Sequence, residues 1–175
     1  PNVNPSISAE FSQSVYRFGH SMLTHTVDRY DVDFNVIVDE GALFPATAGD
    51  QLGLFEAFLN PLALYGFDDA TQQYLLSPEE ATGAVIRGLT RTRANEIDEF
   101  IVGTLQNNLV GLPLDLGAIN IARGRDVGVP RLNPARRAFF AATQDSRLTP
   151  YVNWVDYGDN VRHEPSLVNF IAAYG

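Results

Sequence analysis

The 175-residue sequence contains no cysteine, no lysine, one methionine and one tryptophan. Without cysteine there is no disulfide framework, no thiolate nucleophile and no thiolate-bound metal. Long apolar runs are also missing. Polar residues or glycine interrupt every apolar stretch, so neither a membrane span nor a secretory leader can be read from the chain. Positive charge is scarce: twelve arginines stand against 21 acidic residues, for a formal charge of −9. That balance argues against a nucleic-acid or anionic-membrane surface, since both reward clustered positive charge. No glycine-rich phosphate loop, Ser/His/Asp order or zinc-ligand spacing is present.

What the chain does have is an ordinary globular share of apolar residues, 45%, enough for one domain with a core. It begins Pro1-Asn2 and ends Ala172-Ala173-Tyr174-Gly175, and is expected to be a piece of something longer. The coarse pattern predicts helix after helix. From residue 10 to 27 two apolar rows run together, Phe11/Val15/Phe18/Met22 and Tyr16/His20/Leu23/Val27. A helix apolar on both sides is a buried one, which would place His20 in an interior row. Residues 31–50, rich in Asp, Gly and Pro, read as an irregular connection, and Gln51–Leu59 as a short helix stopped by Asn60-Pro61. Ser77-Pro78-Glu79-Glu80 carries the signature of a capping box opening a helix to about Arg91. Further helices are expected over 95–109, 113–123, 133–142 (opened by Asn133-Pro134) and 166–174. No repeat or linker divides the chain, and the expectation is one mostly helical unit.

Two constellations could carry chemistry. In Tyr16-Arg17-Phe18-Gly19-His20, Arg17 lies one helical turn before the histidine and Gly19 leaves room for a flat macrocycle or another backbone. A neutral imidazole on a rigid helix is a good iron ligand, and an arginine beside it could pair a haem propionate. A lone histidine in such a row also suits a core residue bonded to a carbonyl, so a ligand needs partners. The segment Ile119-Asn120-Ile121-Ala122-Arg123-Gly124-Arg125-Asp126 offers one. Asn120 and Arg123 share a helix face, and an Asn side-chain oxygen could accept the Nδ1–H of a ligating histidine, fixing its tautomer. A capped helix end with solvated Arg–Asp pairs is the other reading, and it stays open for Arg125 and Asp126.

The remaining candidates are weaker. His25 is five residues past His20, over 100° around a helix, and His163 sits in a polar turn before Pro165. Asp28, Asp31, Asp33 and Asp39 miss the spacing of a calcium loop, so a solvated loop is expected there.

EFSQSVYRFGHSM (10–22) resembles the proximal-histidine helix of the animal haem peroxidase (peroxidase–cyclooxygenase) superfamily. INIARGRDVGVPRLN (119–133) is similar to its Leu-Asn-x-x-Arg-x-Arg-Asp-His-Gly block. Between them, FLNPLALYGFD (58–68) and ANEIDEFIVGTLQNNLVGLPLDL (94–116) resemble family segments in the right order. The likeness covers most of the chain and is nearest to bacterial secreted members.

The resemblance implies a mostly α, haem-peroxidase-like helical domain of which residues 1–175 are a partial, proximal-side portion. It implies haem b as cofactor, with His20 as iron ligand, Asn120 as its hydrogen-bond partner, and Arg17 and Arg123 on the propionates. It further implies reduction of hydrogen peroxide with oxidation of a halide or organic donor, a distal half in the same or another chain, and a secreted or extracellular setting. Calcium is possible in the parent protein, with no site seen here. The absence of thiols suits such a setting. Val127 and Leu132 stand where the family has His and Tyr, which puts local packing in doubt. The family's distal Gln, His and Arg lie upstream of the proximal helix and are not in this sequence. Two other functions are compatible with it: a non-catalytic peroxidase-like structural or adhesion module, and a fatty-acid dioxygenase. The latter family members carry a tyrosine three residues before the proximal histidine, where this chain has Arg17.

Overall fold

A computed structural model describes residues 5–37, 51–68, 71–109 and 111–175. Helix dominates, as expected: α1 Ala9–Gln13, α2 Leu54–Leu59, α3 Pro78–Arg91, α4 Gly103–Asn107, α5 Leu116–Asp126, α6 Leu132–Thr143, α7 Trp154–Gly158 and α8 Glu164–Tyr174, with 3-10 helices at Val15–Met22, Pro61–Tyr65 and Ser146–Leu148. Two antiparallel ribbons interrupt them. In the first, β1 (Thr26–Val27) pairs with β2 (Leu52–Gly53), Thr26 opposite Gly53. In the second, β3 (Phe67–Asp68) pairs with β4 (Gln73–Tyr74), Phe67 opposite Tyr74. The chain gathers into two units, the first made of residues 1–19, 97–100 and 118–175, the second of 20–96 and 101–117.

The second unit is built on α3. Ser77 Oγ accepts from Glu80 N at 3.3 Å and Glu80 returns a carboxylate to Ser77 N at 2.8 Å, so the predicted capping box is formed. These bonds hold the Glu80 carboxyl below the usual range, as expected of an acid fixed at a helix N-terminus. Along its inner face α3 carries only small residues, Ala81, Ala84 and Gly88, all buried. Backbone fits against that face: Tyr30 N donates to Ala84 O at 3.3 Å, and Arg87 Nε to Tyr30 O at 2.8 Å. A Cβ on Gly88 would stand 1.8 Å from the Asp28 carbonyl oxygen, so only glycine allows this approach. Arg29, between these contacts, is fully buried; its Nη1 donates to the carbonyls of Ala63 (2.9 Å) and Leu64 (3.3 Å).

The first unit is pinned by polar clasps. Asn133 is not the cap expected of it. The helix starts one residue earlier, with Arg131 at the cap position and no side-chain bond there. Asn133 instead grips the backbone of Tyr151 twice, Nδ2 to O and Oδ1 from N, both 2.9 Å. Arg136 lies 4.1 Å over the Tyr151 ring and donates to the carbonyls of Thr149 and Arg147. Tyr157 sits in an aromatic group with Tyr151, Trp154 and Phe170, all edge-on; burial pushes its hydroxyl pKa up.

Two expectations need correction. The segment 10–27 is not one buried helix: α1 ends at Gln13, a 3-10 helix follows, and Phe11, Val15, Tyr16 and Phe18 are exposed. Ser12 and Ser14 are poor helix formers, and Ser14 takes φ −123°, ψ −71°, which breaks the α-ladder. His20 is accordingly half-buried, not interior. Nor is 95–109 one helix; only Gly103–Asn107 is helical. Asn95 is taken elsewhere, its N donating to Met22 O at 3.1 Å and its Nδ2 to Leu23 O at 2.6 Å.

Because no rotamer relieves a backbone clash, Gly88→Ala should destabilise the protein by about 1–3 kcal/mol. The reading is a lower urea midpoint at unchanged slope; a wild-type midpoint would show that residues 28–30 do not rest on α3.

Candidate functional site

The four candidate residues lie on two helical segments. Arg17 and His20 both lie in the 3-10 helix Val15–Met22. With three residues per turn, residues three apart eclipse one another, so Arg17 and His20 project from one side of that helix. Both are half-buried. Arg17 is steadied by its Nε, which donates to Ser12 O at 3.3 Å, and by its N–H to Ser14 O at 3.0 Å. Asn120 and Arg123 lie three apart on α5, the first half-buried with its Oδ1 shielded from solvent, the second exposed. Arg17, Asn120 and Arg123 fall in the first unit, and His20 opens the second.

The helix α5 ends cleanly. Val127 N donates to Arg123 O, Gly128 N to Arg125 O, and Val129 N to Gly124 O at 2.9 Å. Gly128 takes φ +76°, a value that a β-carbon disfavours. Val127, where the family has histidine, is exposed.

Space beside these residues matters as much as the residues. A Cβ built on Gly19, next to His20, would meet nothing within 4 Å; the same holds for Gly124, which is buried, on α5 next to Arg123. Imidazole, carboxamide and guanidinium are each groups chemically suited to an iron macrocycle with two carboxylates.

The other histidines have structural partners. His25 Nδ1 lies 2.8 Å from Thr104 Oγ1, and its carbonyl accepts from Leu54 N. His163 Nε2 lies 3.7 Å from Asp98 Oδ2, with its ring edge-on to Phe100. The acidic residues of the 28–33 stretch are engaged locally. Asp28 accepts from Thr26 and Thr92, and Asp31 accepts from Asp33 N, Asn35 N and Asn35 Nδ2. The Asn35 bonds hold the Asp31 carboxyl below its usual range. Asp39 lies outside the described residues.

The sequence model of the family described as animal haem peroxidase matches residues 1–161, a span that includes all four candidates. The chain belongs to the animal haem peroxidase family. Within that family's reach, it is 27% identical to peroxinectin A of Dictyostelium discoideum over 96% of this chain and 25% of that protein. It is 33% identical to peroxidase mlt-7 of Caenorhabditis elegans over 78% of this chain and 16% of that one, and 32% identical to rat (Rattus norvegicus) thyroid peroxidase over 78% and 13%. The solved structure of peroxidase A from Dictyostelium discoideum has the same fold: TM-score 0.66, 24% identity, over 99% of this chain and 28% of that one. The chain therefore spans about a quarter, or less, of the peroxidases it matches, and it is a partial domain of that mostly helical fold.

Several features of this family member could not be read from its sequence. Arg29 stands in an ordinary polar stretch, and nothing marked it as the most buried large side chain. Gly88 was more legible, since small residues at 81, 84 and 88 follow a helical interval. Among the described residues no helix is long and apolar enough to cross a membrane.

The open space at Gly19 has a measurable consequence. Gly19→Ala should leave the haem-free chain as stable or raise its stability, by up to about 1 kcal/mol, because the methyl meets no atom and helical glycine is entropically costly. Thermal melting of the haem-free protein checks this; a loss of more than about 1 kcal/mol would mean that the space is filled.

Proposed function

We propose that these residues form the proximal haem side of a peroxidase that reduces hydrogen peroxide while oxidising a halide or a small organic donor, in a secreted or extracellular protein. The observation that carries this reading is the family match over residues 1–161, because it spans both the His20 helix and α5. The open volume beside Gly19 and Gly124 supports it. Bound haem b supplies the iron at which peroxide is reduced.

In this reading the chain does the following. His20 gives an imidazole nitrogen to the iron. The Asn120 side-chain oxygen accepts a hydrogen bond from the other ring nitrogen's N–H, which fixes the tautomer and makes the ligand more electron-rich. Arg17 and Arg123 pair with the two propionate carboxylates, for which a planar guanidinium is the natural partner. Residues that move protons on the peroxide side belong to the remainder of the domain, in the same or another chain. Tyr16 argues against a dioxygenase: it is one residue away from the eclipsed Arg17/His20 pair and 65% exposed.

The test is a haem titration, read by absorbance, of the complete domain and of this chain. His20→Ala should abolish stoichiometric binding with a histidine-ligated spectrum, and full retention of that spectrum would overturn the assignment. Asn120→Ala should keep binding but weaken it about 10–100-fold and shift the iron spectrum; an unchanged affinity and spectrum would remove Asn120 from the site. A complete domain that binds no haem at all would favour a structural or adhesion role.

A further inference from the structure

The first unit contains no sulfur. Cysteine is absent from the chain, and its one methionine, Met22, lies in the second unit. Thiols and thioethers are the common targets of oxidation. Without them, one-electron oxidation in the first unit falls to its phenols and its indole: Tyr16, Tyr151, Trp154, Tyr157 and Tyr174. Three of these five are gathered in one place. The Tyr157 ring stands edge-on to Tyr151 at 5.3 Å between centroids, to Trp154 at 5.7 Å and to Phe170 at 5.9 Å. Such contacts pack rings well, but Phe170 shows that packing here needs neither a hydroxyl nor an indole.

The surroundings rank the three oxidisable rings. Arg136 holds its guanidinium 4.1 Å over the Tyr151 ring. A cation is attracted to an electron-rich ring face and opposes removal of an electron from it. Tyr157 instead feels the negative charge of Glu99. Burial first, then Tyr151 and Glu99, push its pKa up. The charge that disfavours a phenolate favours loss of an electron, so Tyr157 is a neutral phenol that gives up an electron and a proton together. Between Tyr157 and Trp154, the neutral phenoxyl radical is the more stable product near neutral pH. An oxidised indole in contact with a phenol therefore draws an electron from it.

We infer that Tyr151, Trp154 and Tyr157 form a radical-transfer group in which an oxidising equivalent comes to rest on Tyr157, making that phenol a site of oxidative modification. An indolyl radical at Trp154 takes an electron from Tyr157 and a proton from water and becomes indole again. The phenol releases its proton to water and becomes phenoxyl. That radical ends by taking an electron and a proton from an organic donor, which is oxidised by one electron, or by bonding to a second radical. The oxidant is a one-electron oxidant derived from peroxide. For that source alone the inference rests on the peroxidase reading.

Mapping the radical tests the group. The complete domain is oxidised in the presence of a nitroso spin trap, and peptide mass spectrometry locates the adduct. Two oxidants are compared: hydrogen peroxide with the haem-loaded domain, and azide radical generated by radiolysis with the haem-free domain. Among the tyrosines and tryptophan of residues 1–175, the adduct is expected on Tyr157 in both. Tyr157→Phe, which keeps the ring and its packing, should lose that adduct and gain one on Trp154 or Tyr151. An adduct on Tyr16, or one spread evenly over the tyrosines, would overturn the group, as would loss from position 157 with no gain on its neighbours. An adduct on Tyr157 with azide radical, in a domain that binds no haem, leaves the group standing and the peroxidase reading fallen. Haem binding and peroxide reduction with no adduct on Tyr157 from either oxidant does the reverse.

Discussion

The backbone of residues 28–30 lying on the small-residue face of α3 is the contact on which the second unit depends. It joins a helix that is fixed by a capping box to a strand-like segment that carries a fully buried arginine. Burying a guanidinium is costly unless its donors are used. Arg29 uses its Nη1 on the turn at Ala63 and Leu64, and its backbone N–H donates to Gln51 Oε1 at 2.8 Å. The same region holds a buried Glu56, whose carboxylate accepts from Asn60 Nδ2 at 2.8 Å. Polar groups thus specify where α2, the 3-10 turn after it and the 28–30 segment meet, and the few buried apolar residues fill around them. The geometry reaches the candidate site through sequence proximity. Asn95, just past the end of α3, holds the carbonyls of Met22 and Leu23, two and three residues after His20. A shift of α3 would therefore move the exit of the helix that carries the histidine.

The parts of this fold that were legible in the sequence are those set by local chemistry. The helix opened by Ser77 appears with its capping box because a serine, a proline and a glutamate at fixed spacing satisfy the first turn wherever it sits. The helices α5, α6 and α8 also lie within a few residues of their expected spans, although α6 and α8 have no side-chain cap bond. Where distant partners compete, local reading fails. Asn133 looked like a cap, and its amide is instead spent on Tyr151, eighteen residues away. Asn95 looked like a helix start and is bonded to residues more than seventy positions earlier. The two apolar rows of 10–27 implied a buried helix because periodicity reports which residues would like to be covered, not whether this chain covers them.

That distinction explains the pattern of exposure in the first unit. Phe11, Val15, Phe18, Val155, Val168 and Ile171 are exposed, as Val32, Phe58, Ile86 and Leu89 are in the second unit; isolated exposed apolar residues are common but many on one small unit are not. What holds the unit together in their place is a set of backbone-directed bonds from Asn133 and Arg136 and an edge-on aromatic group around Tyr157. Such clasps fix local geometry without removing much apolar area from water, so they leave the driving force for burial unspent. A partial domain of a larger fold should have this property: secondary structure and short-range contacts complete, long-range burial incomplete.

The same local-versus-distant division bears on the histidine itself. Read as an α-helix, residues 16–20 put Tyr16 directly beneath His20 and Arg17 off to one side, since positions four apart lie closest. Read as the 3-10 helix observed, the preference reverses: positions three apart eclipse, Arg17 falls in line with His20, and Tyr16 turns away into solvent. The change comes from Ser14, which ends α1 and restarts the chain with i to i+3 bonding, Arg17 N to Ser14 O at 3.0 Å. The tightening bears on the proposed haem-ligand role because it decides which neighbour shares the histidine's side of the helix. A cation in that position suits carboxylate-bearing haem, whereas an oxidisable phenol there would suit radical transfer to a substrate. Which neighbour shares the histidine's side of this helix is therefore set at Ser14, where the α-ladder stops and 3-10 bonding begins.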